Sequence, residues 1–130
     1  MSSQKQSLKA VILRYARHPQ FLGLEIGDDP NQRGAMGDTL LHLAVESGNL
    51  EDMKVLVAAG ANIDAVGDIG NTPLHSAALR GNFQVAKKLI EFGANTRLKN
   101  DFGETALDVA KNGKRNDIAV LLSRSFSHHC

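Results

Sequence analysis

Residues 70–75 read Gly70-Asn71-Thr72-Pro73-Leu74-His75, and this hexapeptide has a partner on each side at one fixed interval. Gly37-Asp38-Thr39-Leu40-Leu41-His42 precedes it and Gly103-Glu104-Thr105-Ala106-Leu107-Asp108 follows it, so the three glycines are evenly spaced along the chain. Gly48-Asn49 returns as Gly81-Asn82 in the same register, and Gly60-Ala61-Asn62 returns as Gly93-Ala94-Asn95. Three separate landmarks held at one spacing mark an internal repeat, which has to be recognised before any local reading.

Each landmark has a mechanical role. Thr39, Thr72 and Thr105 suit a helix N-terminus, where the hydroxyl accepts from a free backbone N–H. Pro73 stands at the first helical position, where its missing donor costs nothing. Gly48 and Gly81 fit a turn after a short helix, and Gly60 and Gly93 end a second one. Between them run amphipathic segments: Leu41, Ala44 and Val45, then Leu50, Met53, Leu56 and Val57. Leu74, Ala77 and Ala78, followed by Phe83, Ala86, Leu89 and Ile90, repeat the pattern. Two helical faces per unit, a tight turn between them and a loop after them are expected.

On these residues, with Thr72-Pro73-Leu74-His75 as its signature, the chain resembles the ankyrin-repeat family over residues 28–122. The resemblance implies an all-α solenoid of about four stacked helix-turn-helix units with β-turn loop tips. One repeat cannot bury its own apolar face, so the flanks are expected to act as caps. The expected units are 1–36, a degenerate first repeat; 37–69; 70–102; 103–123, a capping repeat; and 124–130, a loose tail. In the first unit Leu8, Val11, Ile12 and Tyr15 would form one helix and Phe21, Leu22 and Leu24 a second, opened by His18-Pro19. Tyr15 stands where the turn glycine would be, while Gly27-Asp28-Asp29-Pro30-Asn31 matches the loop after Gly60 in register. The last unit reads as one residue short, because Thr105 to Gly113 is eight steps where Thr72 to Gly81 is nine.

Composition narrows the function classes. The 130 residues carry a net charge of +1, with 42% apolar and 22% charged residues, as in an ordinary globular domain. No global field draws nucleic acid or an anionic membrane, no nucleic-acid motif or phosphate loop occurs, and no apolar run reaches a membrane span. Charge is uneven: residues 37–79 hold one Lys/Arg against six Asp/Glu, and 80–130 hold nine against five. That asymmetry reads either as an orienting field for a partner or as an ordinary solvated surface. Cys130 is the sole cysteine, so no intrachain disulfide can form, and with no secretory signal at the N-terminus a cytoplasmic location is expected.

His42, His75 and Asp108 recur at one place in successive units and could suggest metal binding or proton transfer. The repeat itself explains their spacing, and the family resemblance implies hydrogen bonding within and between repeats instead. His128-His129-Cys130 cannot easily close a tetrahedral site from three adjacent residues. No catalytic residue, metal or cofactor is therefore expected.

What remains is a surface for another protein, which the family resemblance places on the loop tips and the concave side of the first helices. The expected partner-binding residues are Met36 and Asp38 on the first tip, with Ala35 beside them. Val66, Asp68, Ile69 and Asn71 belong to the second, and Lys99, Asp101, Phe102 and Glu104 to the third. Glu46, Ser47, Leu79 and Arg80 stand near the ends of the first helices. Met36, Ile69 and Phe102 make an apolar row that either anchors a partner or packs between adjacent tips. Where the family often has Asp, this chain has Gly34, Gly67 and Asn100, so the first two tips are expected to be less rigid. With no second domain to deliver, the simplest expected action is regulation or stoichiometric inhibition of a partner by a monomer. Immunity towards a toxin, scaffolding and catalysis are the alternatives.

Overall fold

The computed structural model describes residues 2–24 and 27–127, with side chains for 8–24 and 27–124. Among them are seven α-helices: α1 Ser2–Tyr15, α2 Leu40–Ser47, α3 Leu50–Ala58, α4 Pro73–Arg80, α5 Phe83–Glu91, α6 Ala106–Asn112 and α7 Asn116–Ser127. The all-α solenoid that the sequence implies is the architecture observed. Helices α2, α4 and α6 pack side by side as an inner row, while α1 packs on α3 and α5 on α7 in an outer row. One apolar core runs without a break from Val11 to Leu122. Ala44, Ala77, Ala78 and Ala110 are fully buried in it, and their small side chains let the short inner helices approach closely.

Local chemistry sets the helix ends. Thr39, Thr72 and Thr105 each accept from the N–H of the third helical residue, whose own side chain accepts the Thr backbone N–H. These reciprocal caps satisfy two orphan donors per helix. Asn49 and Asn82 cap α3 and α5 in the simpler way. Each inner helix then closes with the same backbone bond, Asn49 N–H to Ala44 O, Asn82 N–H to Ala77 O and Arg115 N–H to Ala110 O. That bond needs a left-handed residue just before its donor.

Gly48 and Gly81 supply it, at φ 73° and 74°. In the last unit Gly113 does not: it sits at φ −88°, and Lys114 takes the left-handed place at φ 57°. The expected loss of one residue is thus corrected. The repeat register survives to the end of the chain, because the closing bond fixes the geometry whatever residue occupies it. The expected loose tail from 124 is also helical as far as Ser127, and His128-His129-Cys130 lie outside the described residues.

The first unit departs further from expectation. Val11, Ile12 and Tyr15 are buried on α1 as anticipated. The second helix does not form. Pro19–Phe21 makes a single 3-10 turn capped by the His18 ring, and Gly23 at φ 81° ends it. Phe21 is buried there, while Leu22 and Leu24 stay exposed. A chain with one inward apolar residue per turn and a left-handed glycine two residues later has no face to sustain a helix. The loop that follows does keep register. Asn31 accepts the Asn62 N–H as Asp64 accepts the Asn95 N–H, at 2.6 and 2.8 Å.

A buried cluster fastens α1 to α3. The Asp52 carboxylate, almost wholly buried, pairs with Arg14 and accepts the Tyr15 hydroxyl at 2.9 Å. Burial pushes the Tyr15 phenol up to about 12, so it remains a donor across the physiological range.

Lys114 in the left-handed region costs roughly 1–2 kcal/mol, of which glycine's greater unfolded freedom would give back part. Lys114→Gly is therefore expected to stabilise the fold by about 0.5–1 kcal/mol and to raise the melting temperature by a few degrees in calorimetry. A lower melting temperature would show that the lysine side chain contributes more than its backbone costs.

Candidate functional site

The caps do more than end helices. The Nδ1 atoms of His42 and His75 face the backbone N–H of Thr39 and Thr72 at 3.1 Å and the threonine hydroxyls at 2.8 Å. With Nδ1 accepting, Nε2 carries the proton and donates across to the next unit, to the carbonyls of Asn71 and Glu104 at 2.8 Å each. Each imidazole therefore fixes the base of the following loop tip. Burial lowers the pKa of both rings, opposed by the carbonyl bonds, so both are neutral in the fold.

Three β-turns stand on these bases, closed by Gly37 N–H to Gly34 O, Gly70 N–H to Gly67 O and Gly103 N–H to Asn100 O at 2.9–3.0 Å. They are braced differently. Asn100 braces its own tip, its Oδ1 accepting from Phe102 and Glu104 N–H at 3.0 Å. The second tip borrows its carboxylate: Asp38 Oδ1 accepts the Asp68 N–H at 2.9 Å. A Cβ on Gly67 would lie 2.3 Å from that oxygen, and one on Gly34 would lie 2.6 Å from Gln20 Cβ. The expectation of looser first tips is therefore corrected, since a neighbouring residue fills the space each missing side chain leaves. Arg33 adds bonds to the Gly37 and Val66 carbonyls, and the Asp101 N–H reaches Ile69 O at 3.1 Å.

This bracing sorts the expected site residues. Asp38 is only 7% exposed and spends its carboxylate on Asp68 and on Gln20 Nε2, so it is removed from the contact surface. Asn71 is half-buried and bonded to His42 and Asn100. Glu104 holds Asn100 and Asn112 through its two carboxylate oxygens. Glu46 and Arg80 are exposed and pair with each other at 3.9 Å. Asp68, Lys99 and Asp101 are exposed at the tips.

Met36, Val66, Ile69, Leu79 and Phe102 are apolar yet 45–70% exposed. The row of Met36, Ile69 and Phe102 is thus not packed away between tips. Ile69, Leu79 and Phe102 converge with Val109 on a cleft of about 370 Å³, edged by Asn71, Glu104 and Asn112. The repeat register could have shown two of these liners, since Val109 and Asn112 stand one repeat after Ser76 and Leu79. Among the described residues no group of three or more His, Cys, Asp or Glu side chains is placed to hold a metal ion.

A family model described as ankyrin repeats (3 copies) matches residues 41–129, more than half of the chain. The chain belongs to the ankyrin-repeat family. The first, single-helix unit lies outside the match, in keeping with its lost second helix. No curated protein matches the chain. Ankyrin repeats are in general protein–protein interaction modules, and no helix among the described residues is long and apolar enough to cross a membrane.

Ile69 is a β-branched residue at φ 52°, a conformation such side chains avoid. Asparagine tolerates it better, so relief of about 1 kcal/mol should offset the packing lost. Ile69→Asn is accordingly expected to leave the melting temperature unchanged or a few degrees higher. A clear fall would mean that the fold itself needs this isoleucine.

Acid should loosen the ladder. The unfolded-state histidines titrate near 6.5, whereas His42 and His75 in the fold titrate lower. Their stabilisation is complete above the unfolded value and is lost as pH falls through it towards the folded one, because the unfolded chain then binds protons that the fold refuses. The melting temperature is expected to fall between pH 7.5 and 5.5, and less steeply in His75→Ala. Equal slopes in the two proteins would remove His75 from the account.

Proposed function

We propose that this ankyrin-repeat chain binds another protein through its second and third loop tips and the adjoining concave cleft. It regulates or inhibits that partner by covering part of its surface. The observation that carries the reading is the exposure of Ile69, Leu79 and Phe102 together on one cleft. The fold has its own continuous core and gains nothing from leaving three large apolar side chains beside each other in water. Exposed charges around them, Asp68, Lys99 and Asp101, supply the rim that sets specificity and association rate. A regulator and a toxin-neutralising immunity protein would use the same surface, and the identity of the partner separates them.

The test is affinity capture from the native organism with the full chain as bait, followed by calorimetry on the recovered partner. Truncation of an interface anchor costs about 2 kcal/mol or more, roughly 30-fold in affinity. Ile69→Ala combined with Phe102→Ala is expected to weaken binding by at least that factor. Lys54→Ala with Lys87→Ala, exposed on the outer helices, should change it little. Equal losses from both pairs, or loss from the outer pair alone, would place the interface elsewhere.

A further inference from the structure

The cleft has a polarity that narrows what can enter it. Its apolar part is made by Ile69, Leu79, Phe102 and Val109, and its volume of about 370 Å³ lies at the small end of ligand pockets, which run roughly 300–1,000 Å³. That space suits one or two side chains of a polypeptide segment, not the flat face of a folded domain. At the tip end stand three carboxylates, Asp68, Asp101 and Glu104, against the single cation Lys99. None of the three carboxylates forms an ion pair among the described residues. At the opposite end, Asn112 and Gly113 line the cleft and are flanked in sequence by exposed Lys111 and Lys114. Arg115 lies beyond, its guanidinium donating to the Leu79 carbonyl at 3.3 Å. Acid at one end and base at the other give a bound segment a preferred direction.

We infer that the cleft takes one large aliphatic or aromatic side chain of a partner segment, with Lys or Arg facing the tips and Asp or Glu facing Lys111 and Lys114. This rests on the protein-binding reading and specifies the chemistry of its ligand. Ile69 supports it independently. The Asp101 N–H holds the Ile69 carbonyl, and the residue keeps a left-handed backbone that costs the fold stability while its side chain forms a cleft wall. Strain retained at a binding surface is the pattern expected where side-chain placement matters more than stability.

The experiment selects random dodecapeptides on phage against the full chain, then measures a synthetic selected peptide by calorimetry. The expected consensus is one Leu, Ile, Met or Phe with a basic residue on one side and an acidic residue on the other. Leu79→Arg, a change at an exposed helical position, should weaken the peptide at least tenfold with the circular dichroism spectrum unchanged. Asp68→Lys combined with Asp101→Lys should weaken it several-fold in low salt, with the difference shrinking in high salt. No enrichment above background, a consensus without a basic residue, or wild-type affinity in Leu79→Arg would overturn the inference. A natural partner that binds Leu79→Arg as well as wild type, but loses affinity to Ile69→Ala with Phe102→Ala, would leave the protein-binding reading standing and remove only the cleft ligand.

Discussion

The imidazoles of His42 and His75 each join two repeats, receiving from the threonine cap of their own helix and donating to the backbone of the next loop. Remove that bond and a buried nitrogen and a carbonyl lose their partners together, which costs more than a surface hydrogen bond would. The same bond places the tips. Asn71 and Glu104, whose carbonyls it holds, are the residues from which the second and third tips return into α4 and α6. Stack stability and site geometry therefore share one interaction, and the site cannot be loosened without loosening the solenoid.

The second and third tips solve one problem in different ways. A tight turn leaves backbone N–H groups pointing inward, and each needs an acceptor. Asn100 supplies one from within its own turn, whereas Gly67 leaves a gap that the carboxylate of Asp38 enters from the preceding tip. The borrowed brace ties the tips into a chain running from Gln20 through Asp38 to Asp68. It also explains why an acidic residue on a tip is a poor guide to the binding surface: Asp38 is structural, whereas Asp68 and Asp101 face water.

Exposure of apolar groups is the other organising fact. Alanines in the inner row and leucines between the rows bury the apolar stripe of every helix, so Leu79, Ile69 and Phe102 are surplus to the core. Their convergence with Val109 on one cleft, with carboxylates at one end and lysines at the other, distinguishes this part of the surface from the outer helices. On α5 and α3 cations pair along the helix, as Lys88 does with Glu91 and Lys54 with Glu51.

By itself the sequence determined the family, the all-α class, the cap residues and the repeat register, because each is a short-range effect. A threonine before a helix or a glycine after one acts on backbone groups within a turn of itself, and recurrence makes the pattern legible. It also pointed to Ile69, Leu79 and Phe102 as outward-facing. Tertiary structure alone decided the rest. Lys114, not Gly113, takes the left-handed place because the closing bond from Arg115 to Ala110 fixes where that place falls. Phe21 to Leu24 form no helix because only Phe21 meets a neighbour to pack on. Asp38 is withdrawn from the surface because the space it fills belongs to Gly67, a glycine of the following tip. Such effects depend on what lies across a gap between repeats, and no window along the chain contains both sides of it.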